Sequence, residues 1–522
     1  MGIQAEALLA LLAGRGTGGS ARPEEAALEG FLGANYPPED RGRAAERYLR
    51  LVGRFRELFP GCPAALARAP GRINLIGEHT DYNGLPVFPF AIHRDMAAAF
   101  GPRQDGRVVL HNLDPAYPPR EFALEAAIPP YGTGDWGNYL KAAAQGLLDR
   151  FRDDVVPAAF GGLRAAEGGL RPEAFRGLNA VIHGDIPPAA GLSSSSALVV
   201  LGALMLLASG GRTLPGPELA TLLARAEHYV GTQGGGMDQA ASLLSRAGNA
   251  LKIDFFPLRV VPAPLPEGMV FVAADSLVKA AKTAEALDKY NRRPIECRLA
   301  VAVLKRRLAE RFGREVPLQR LGDLSAAGAT PDEVGAKAGP SSAERFREAQ
   351  RALHPAPYTL GEIAGILGCS PEAAARTFCL RRDGSVFAEP SDGFKLHQRY
   401  RHVIEEGARV EKALTALRAG NIAALGRLMD QSHESCRDLY EISCPELDEL
   451  TRIARRAGAE GSRLTGAGFG GCTISLVREE RLPAFLGEVT RAYYRGYLER
   501  APDDLSSTLF ACRAVNGAET LF

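Results

Sequence analysis

The stretch that decides the fold is Pro188-Ala-Ala-Gly-Leu-Ser-Ser-Ser-Ser-Ala197, directly before the apolar run Ala197 to Ala208. The apolar run predicts a buried helix, and the serine-rich stretch predicts the turn that leads into it. A helix N-terminus offers unpaired N–H groups and the positive end of the helix dipole, which suit a phosphate. Gly191 allows close backbone approach, and serine hydroxyls add donors. A serine N-cap with nothing bound is the alternative.

A second stretch, Gly71-Arg-Ile-Asn-Leu-Ile-Gly-Glu-His-Thr-Asp-Tyr-Asn83, sets several polar side chains among apolar neighbours. These side chains are Arg72, Glu78, His79 and Asp81. Carboxylates accept hydrogen bonds from hydroxyls, and histidine either donates or accepts, so the set suits a polyhydroxylated ligand. The alternative is an exposed hairpin end with ordinary charges.

A third stretch, Gly461 to Cys472, contains four glycines within six residues and precedes the apolar run Thr473 to Val477. The glycines are Gly466, Gly468, Gly470 and Gly471. Such a turn lets backbone amides converge on an anion. A tight bend between packed elements explains the same glycines equally well.

The composition narrows the function classes. A length of 522 residues predicts two or three domains. Because 62 basic residues oppose 61 acidic ones, there is no general basic field for nucleic acid or an anionic membrane. No segment approaches the ~20 apolar residues of a membrane span. The eight cysteines form no C-x-x-C pair, which indicates free thiols in a reducing compartment, and no histidine pattern indicates zinc.

The apolar patterning predicts an α+β fold, because strands and helices alternate without a regular βαβ rhythm. Residues 1 to about 44 read as an irregular extension with one or two short helical pieces, and Ala44 to Phe59 predicts a helix. Strand-like runs between Ala65 and Ile92 are interrupted by an Asn83-Gly84 turn, and Leu178 to Ile182 predicts another strand.

Two further stretches are rich in glycine and alanine and show little patterning. They are Asp154 to Pro172 and Leu321 to Ser342. Both predict surface insertions.

Together, the three motif stretches resemble those of the GHMP kinase superfamily, and the first two are closest to its galactokinase branch. The similarity runs through roughly residues 45 to 520. It includes Ala226-Glu-His-Tyr-Val-Gly231, Gly234-Gly-Gly-Met-Asp-Gln239, Phe394-Lys-Leu-His-Gln-Arg399 and Ser443-Cys-Pro-Glu-Leu447.

The resemblance implies a two-domain GHMP kinase fold with the active site in the cleft between the domains. The implied boundaries are an extension at 1–44, an N-terminal domain at 45–250 and a C-terminal domain at 251–522. The C-terminal domain would carry a surface insertion near 313–345.

The resemblance also implies roles at the sugar end of the site. Asp238 matches the catalytic aspartate, which takes the proton of the anomeric hydroxyl, and Arg72 matches the arginine that keeps this aspartate ionised. The residues that match the sugar-binding set are Arg72, Glu78, His79, Asp81, Asp238 and Tyr290. Because the N-acetylgalactosamine kinases of this branch carry an apolar ring at that place, the Tyr290 hydroxyl favours galactose.

At the nucleotide end, the resemblance implies a phosphate cradle and a magnesium site. The residues that match nucleotide-binding positions are Gly191, Ser193, Ser194, Ser195, Trp136 and Lys282. Ser195 and Glu227 match the magnesium ligands, which agrees with the preference of Mg²⁺ for oxygen. Such a set suits phosphoryl transfer, which depends on positioning and charge neutralisation.

The activity that the resemblance implies is phosphorylation of galactose by ATP, with Mg²⁺, to give galactose 1-phosphate and ADP. One alternative is an N-acetylgalactosamine kinase. Another is a non-catalytic sensor of galactose and ATP, against which the intact run Ser193 to Ala197 argues.

We expect the sugar and ATP as partners, neither nucleic acid nor membrane, and a cytoplasmic monomer. A transit peptide in residues 1–44 stays open, since Arg15 and Arg22 precede the first acidic cluster at Glu24.

Overall fold

Helices and strands alternate along the chain without a repeating unit, as the α+β prediction requires. The computed structural model describes residues 3–13, 23–152, 176–231, 234–279, 284–324, 341–381, 384–500, 502 and 504–522. The helices are α1 (Ala5–Leu12), α2 (Pro23–Asn35), α3 (Arg41–Leu58), α4 (Gly137–Phe151), α5 (Ser194–Ser209), α6 (Gly216–Ala226), α7 (Met237–Leu244), α8 (Ala284–Phe312), α9 (Ser342–Ala352), α10 (Leu360–Leu367), α11 (Pro371–Phe378), α12 (Leu396–Arg418), α13 (Ile422–Asp438), α14 (Pro445–Arg456) and α15 (Leu482–Val489).

The strands fall into three groups. They are β1 (Ile3–Gln4), β2 (Pro63–Asn74), β3 (Pro89–Pro102), β4 (Arg107–Asn112), β5 (Arg120–Ala123), β6 (Leu178–Gly184), β7 (Asn249–Asp254), β8 (Arg259–Pro264), β9 (Met269–Asp275), β10 (Gly461–Leu464), β11 (Cys472–Arg478), β12 (Leu509–Cys512) and β13 (Glu519–Leu521). The predicted helix at 44–59 and the predicted strands at 178–182 and 473–477 are confirmed as α3, β6 and β11.

The first sheet lies in the N-terminal half of the chain and has the order β1-β2-β3-β6-β4-β5, with β13 also paired to β2. Its pairs are antiparallel except β4 with β6. One face packs on α5 and α4, and the other face packs on α1, α2 and α3. The sheet therefore separates two helical layers.

The buried position of α5 follows from its sequence. The helix is apolar nearly all round, so it is stable only where neighbours cover every side. It packs between the first sheet and α4, where Gly202 lets Leu140 approach closely. The serine-rich turn at its N-terminus is held at the edge of this core.

The second sheet, β10-β11-β9-β12, belongs to the C-terminal half and is antiparallel. Helices α14 and α15 cover one face, with a π-helix at Thr490–Tyr497 after α15. The other face shares a hydrophobic core with the first sheet through Phe271 and Ile474. Consequently the two halves of the chain meet through packed apolar side chains.

The N-terminal extension is more ordered than the irregular segment that the sequence predicts. Its two helical pieces are α1 and α2, and Leu8 and Phe31 are buried against α3. The short strand β1 pairs with the start of β2, which sequence analysis missed. Residues 14–22 lie outside the described part of the chain.

The domain boundaries stay a prediction, although two strands cross the proposed division. Strand β7 spans the predicted boundary between residues 250 and 251, and β13 returns from the C-terminal half to the first sheet. The stretch at 154–172 and most of the one at 321–342 lie outside the described residues. The described flank of the latter differs from a surface insertion, because Val316, Leu318 and Leu321 are buried against α8.

Two other features bear on the sequence predictions. None of the helices in the described ranges is both long and apolar enough to cross a membrane. All eight cysteines are free thiols.

Candidate active site

The serine-rich turn enters α5 through an unusual backbone conformation. Ser193 precedes the helix with a left-handed φ of 63°, and its side chain forms no capping hydrogen bond. Its Oγ is buried and has no hydrogen-bond partner among the described residues. The serine therefore does not act as an ordinary N-cap, which was the alternative from sequence.

The glycine motif of the C-terminal half packs directly on this turn. The N–H of Cys472 donates to the carbonyl of Ala190 at 2.9 Å. Gly466 has a φ of 86°, and a Cβ on it would overlap the carbonyl oxygen of Gly191. These glycines thus serve the close approach of two backbones, and the tight-bend interpretation describes them correctly.

Arg72 is placed beneath the turn by an irregularity in β2. The register of β2 against β3 shifts between Pro70 and Arg72, and the Arg72 N–H donates to the Leu192 carbonyl at 3.2 Å. The guanidinium donates from Nε to Asp238 Oδ1 at 2.8 Å and from Nη1 to the Gly191 carbonyl at 2.5 Å. The two predicted catalytic residues are therefore in contact.

Asp238 stands at the start of α7, after Gly236 in a left-handed conformation with a φ of 105°. Its side chain is 28% exposed, whereas that of Arg72 is 5% exposed. The carboxylate is thus held from behind by the buried guanidinium and stays reachable from the cleft.

Two residues that sequence analysis missed hold the predicted metal ligand Glu227. Ser196 Oγ donates to Glu227 Oε2 at 2.7 Å and lies 3.5 Å from Asp238 Oδ2. Gln239 Nε2 also donates to Glu227 Oε2. No hydrogen bond to Glu227 comes from Ser195 within the described ranges. The sequence signal was weak, since Ser196 is one of four identical residues in a row.

Glu78 is buried at the junction of the second and third motifs. Gly466 N–H donates to its Oε1 at 2.8 Å, and Arg463 Nη1 donates to the same oxygen at 3.2 Å. Burial raises the pKa of Glu78, and the neighbouring Arg463 opposes that shift. The glycine motif thus reads the carboxylate of the sugar signature.

His79 takes a left-handed φ of 60° and has both ring nitrogens engaged. Nδ1 lies 2.9 Å from Tyr82 Oη, and Nε2 lies 3.2 Å from the carbonyl oxygen of Ala467. Burial lowers the pKa of His79 to about 3, so the ring is neutral at physiological pH.

Asp81 lies beside the segment that leads into α7. Met237 N–H donates to its Oδ2 at 3.4 Å, and a Cβ on Gly235 would overlap its carboxylate. Burial raises the pKa of Asp81 to about 6, and the charge of Asp238 adds to the rise. The carboxyl therefore titrates near neutral pH.

Tyr290, on α8, completes the group. Its ring lies 5.6 Å from that of His79. Burial raises the pKa of Tyr290, and the charges of several site carboxylates raise it further. Those carboxylates are Asp81, Asp238, Glu227 and Glu78. The sugar-end residues predicted from the sequence are thus brought together.

The two remaining nucleotide-side residues are less tied to this group. Trp136 is buried just before α4, where its Nε1 donates to the Pro118 carbonyl at 3.0 Å. Its ring packs on Tyr117 at 6.4 Å, and α4 in turn packs on α5. Lys282 lies outside the described residues.

A helix N-terminus, an opposing glycine turn and an arginine-held carboxylate define the kinases of the GHMP superfamily. Family models for the N-terminal and C-terminal GHMP kinase domains match residues 138–246 and 413–495. The model of the galactokinase galactose-binding signature matches residues 53–102.

Curated relatives narrow this class further. The galactokinase of Dictyostelium discoideum is 34% identical over 487 residues, which is 87% of this chain and 89% of the relative. The galactokinase of Roseiflexus sp. is 33% identical and covers 89% of this chain and 95% of the relative. The chain belongs to the galactokinase family.

A solved structure agrees with this assignment. The Lactococcus lactis galactokinase complexed with galactose has a TM-score of 0.65 and 27% identity, covering 91% of this chain and 99% of that one. The GHMP kinase fold expected from the sequence is confirmed.

Proposed function

We propose that the protein is an ATP-dependent kinase that phosphorylates the anomeric hydroxyl of galactose, giving galactose 1-phosphate and ADP. The observation that carries this proposal is the Asp238 carboxylate, held by Arg72 at 2.8 Å beside the N-terminus of α5. The names of the curated relatives support galactose as the sugar.

In this proposal, Asp238 accepts the proton of the attacking hydroxyl. A sugar hydroxyl is a poor nucleophile, so a positioned base assists its attack. Arg72 is fixed by the Gly191 carbonyl as well as by Asp238, and its charge favours the ionised carboxylate. Arg72 thereby links the base to the turn where the phosphates would lie.

Glu78, His79, Asp81 and Tyr290 are the proposed sugar contacts. A carboxyl with a pKa of about 6, such as that of Asp81, can accept or donate a hydrogen bond near neutral pH. Glu78 and His79 already make hydrogen bonds within the protein, so they present their partners' geometry to the sugar along with their own.

The serine-rich turn fits the phosphates of ATP. The Ser193 Oγ is a buried oxygen without a described partner, and a phosphate oxygen would satisfy it. Gly191, Ser194 and Ser195 would cradle the phosphates together with the N–H groups of α5, an arrangement suited to anions. Trp136 and Lys282 are the proposed residues on the base side.

Mg²⁺ fits the oxygen donors that gather near Glu227. Ser195 and Glu227 are the proposed ligands, and Ser196 and Gln239 orient the Glu227 carboxylate by hydrogen bonds. A bound Mg²⁺ would neutralise charge on the phosphates during transfer.

The alternatives have less support. The named relatives are galactokinases, which favours neither an N-acetylgalactosamine kinase nor a non-catalytic sensor. We further propose that the enzyme is a monomer in the cytoplasm.

A coupled ADP-release assay tests the proposal with galactose, N-acetylgalactosamine and arabinose, each with and without EDTA. Galactose should give the highest kcat/KM, and EDTA should abolish turnover. Equal or higher efficiency with N-acetylgalactosamine would promote the alternative kinase. Binding of galactose and ATP without ADP release would instead identify a sensor.

A further inference from the structure

A cavity of about 970 Å³ adjoins the sugar end of the candidate active site but contains none of its predicted residues. One wall is a single face of α8, which presents Pro294, Arg298, Val301 and Lys305 at helical spacing. Tyr82, next to the sugar signature residue Asp81, forms part of the opposite side. The volume is in the range of small-molecule sites.

Positive charge dominates the charged lining of this cavity in the described part of the chain. The basic side chains are Arg298, Lys305, Arg306, Arg320 and Arg381, and the acidic one is Glu315. Arg306 pairs with Glu310 and Arg381 pairs with Asp288, each at 2.9 Å. Lys305 and Arg320 have no carboxylate at ion-pair distance among the described residues. These two cations are available to an anion.

Arg320 is held in place before any ligand arrives. Its guanidinium lies over the ring of Phe256, 3.5 Å from the ring centroid. Asp323 Oδ2 accepts hydrogen bonds from the backbone N–H of Gln319 at 2.8 Å and of Arg320 at 2.9 Å. A fixed cation loses little conformational entropy on binding, which favours affinity.

The rest of the lining is apolar and would suit the body of an organic ligand. Val301, Ala302, Leu318, Leu367 and Phe378 contribute to it. An inorganic anion would leave this apolar surface uncovered, whereas a phosphate carried on a sugar-sized body would cover both parts.

A chain of hydrogen bonds joins the cavity to His79. The Ala467 carbonyl only accepts, so His79 Nε2 donates to it, and the neutral ring must then accept at Nδ1. Tyr82 therefore donates to Nδ1 at 2.9 Å, and Tyr440 donates to Tyr82 at 2.8 Å. Cys297, which lines the cavity, donates in turn to Tyr440 at 3.3 Å.

We propose that this cavity binds a small organic phosphate through Lys305 and Arg320, and that binding there changes galactose affinity through Tyr82 and His79. The binding itself is independent of the proposed kinase function, and the coupling rests on it. A ligand that moves Tyr82 would disturb the hydrogen bond that fixes the orientation of the His79 ring.

Calorimetry tests the binding with glucose 6-phosphate as the probe. The protein is first saturated with galactose and a non-hydrolysable ATP analogue, so that both substrate sites are filled. We expect one molecule to bind, and Lys305→Ala and Arg320→Ala to weaken binding by about tenfold or more, since a charge-assisted hydrogen bond is lost. The control Arg307→Ala changes an exposed residue of α8 outside the cavity and should bind normally.

Three results would overturn the site. They are the absence of binding, unchanged binding in Lys305→Ala, and equal affinity for inorganic phosphate and glucose 6-phosphate. Lys305 is exposed, so its substitution keeps the test valid even if Arg320→Ala, which loses packing on Phe256, fails to fold.

Kinetics test the coupling. Saturating glucose 6-phosphate should shift the KM for galactose by about fivefold or more, a usual size for coupled sites. Tyr82→Phe should keep glucose 6-phosphate binding and lose the shift. An unchanged KM in the unmodified enzyme would overturn the coupling. An absence of kinase activity would instead reject the proposed function, and calorimetry would still decide the site.

Discussion

Among single side chains, Asp238 carries the chemistry that we propose. Asp238→Asn keeps an oxygen that can accept from Arg72 but cannot take up a proton. We expect kcat to fall by about 10²–10⁴-fold, the usual contribution of a general base. The affinity for a non-hydrolysable ATP analogue, measured by calorimetry, should stay the same.

The matched control is Asp149→Asn, an exposed carboxylate on α4. It should leave kcat unchanged. If Asp238→Asn retained more than about a tenth of the rate, the role of Asp238 as a base would be wrong.

Asp81 gives the free enzyme a pH-dependent stability. Because its folded pKa is raised to about 6 from 3.8, its contribution is fully present below pH 3.8 and is lost as pH rises through 6. Asp81→Asn removes the cost of burying the ionised carboxylate, worth up to about 3 kcal/mol. The variant should therefore melt at a higher temperature than the unmodified protein at pH 8.

The difference in Tm should shrink as the pH is lowered from 8 to 5, since Asp81 then becomes neutral. Thermal melts of the ligand-free proteins measure it. A difference that is constant over this range, or largest at pH 5, contradicts the assignment.

Among the elements, the turn before α5 and the glycine turn opposite it depend on each other. Gly466→Ala would place a Cβ on the Gly191 carbonyl in a backbone conformation with φ of 86°. We expect this variant to lose at least about tenfold in affinity for the ATP analogue, since small displacements of a binding loop are costly.

Gly487→Ala is the control, because a Cβ on this residue of α15 meets nothing within 4 Å. It should bind the nucleotide normally and gain up to about 1 kcal/mol of stability from its higher helix propensity. Normal nucleotide affinity in Gly466→Ala would show that the two turns are not coupled.

The sequence predicts those elements whose pattern is local. α3 and α5 carry clear apolar periodicity, and the glycines that the packing requires are visible as a cluster. Strands β1 and β13 are too short to have a period, and both pair with distant residues of β2. The hydrogen bond of Ser196 to Glu227 was not predictable either, because neighbouring serines differ only in the side of the turn that they face.

For the molecule as a whole, a buried ionic cluster ties the extension to the first sheet. Asp95 on β3 accepts from Tyr36 Oη at 2.6 Å and from Arg68 Nε at 2.8 Å, and it also pairs with Arg47. Burial raises the pKa of Asp95, but the two arginines lower it further, to below its usual value. The carboxylate thus compensates two buried cations.

Asp95→Asn should destabilise the protein by about 3–5 kcal/mol, the usual cost of breaking a buried pair. Urea unfolding at pH 7 measures it. The control Asp105→Asn removes an exposed partner of Arg103 and should cost less than about 1 kcal/mol. Equal effects would mean that the cluster does not anchor the extension.

The pairing of β13 with β2 also has a consequence for synthesis of the chain. Arg68 in β2 donates from Nη1 to the carbonyl of Gly517 at 3.2 Å, close to β13. Residues 519–521 leave the ribosome after the whole second sheet has been made. The edge of β2 therefore stays open during translation, and an open edge invites pairing with other chains. Nascent copies of this protein depend on chaperones, or on rapid completion of the chain, until β13 closes that edge.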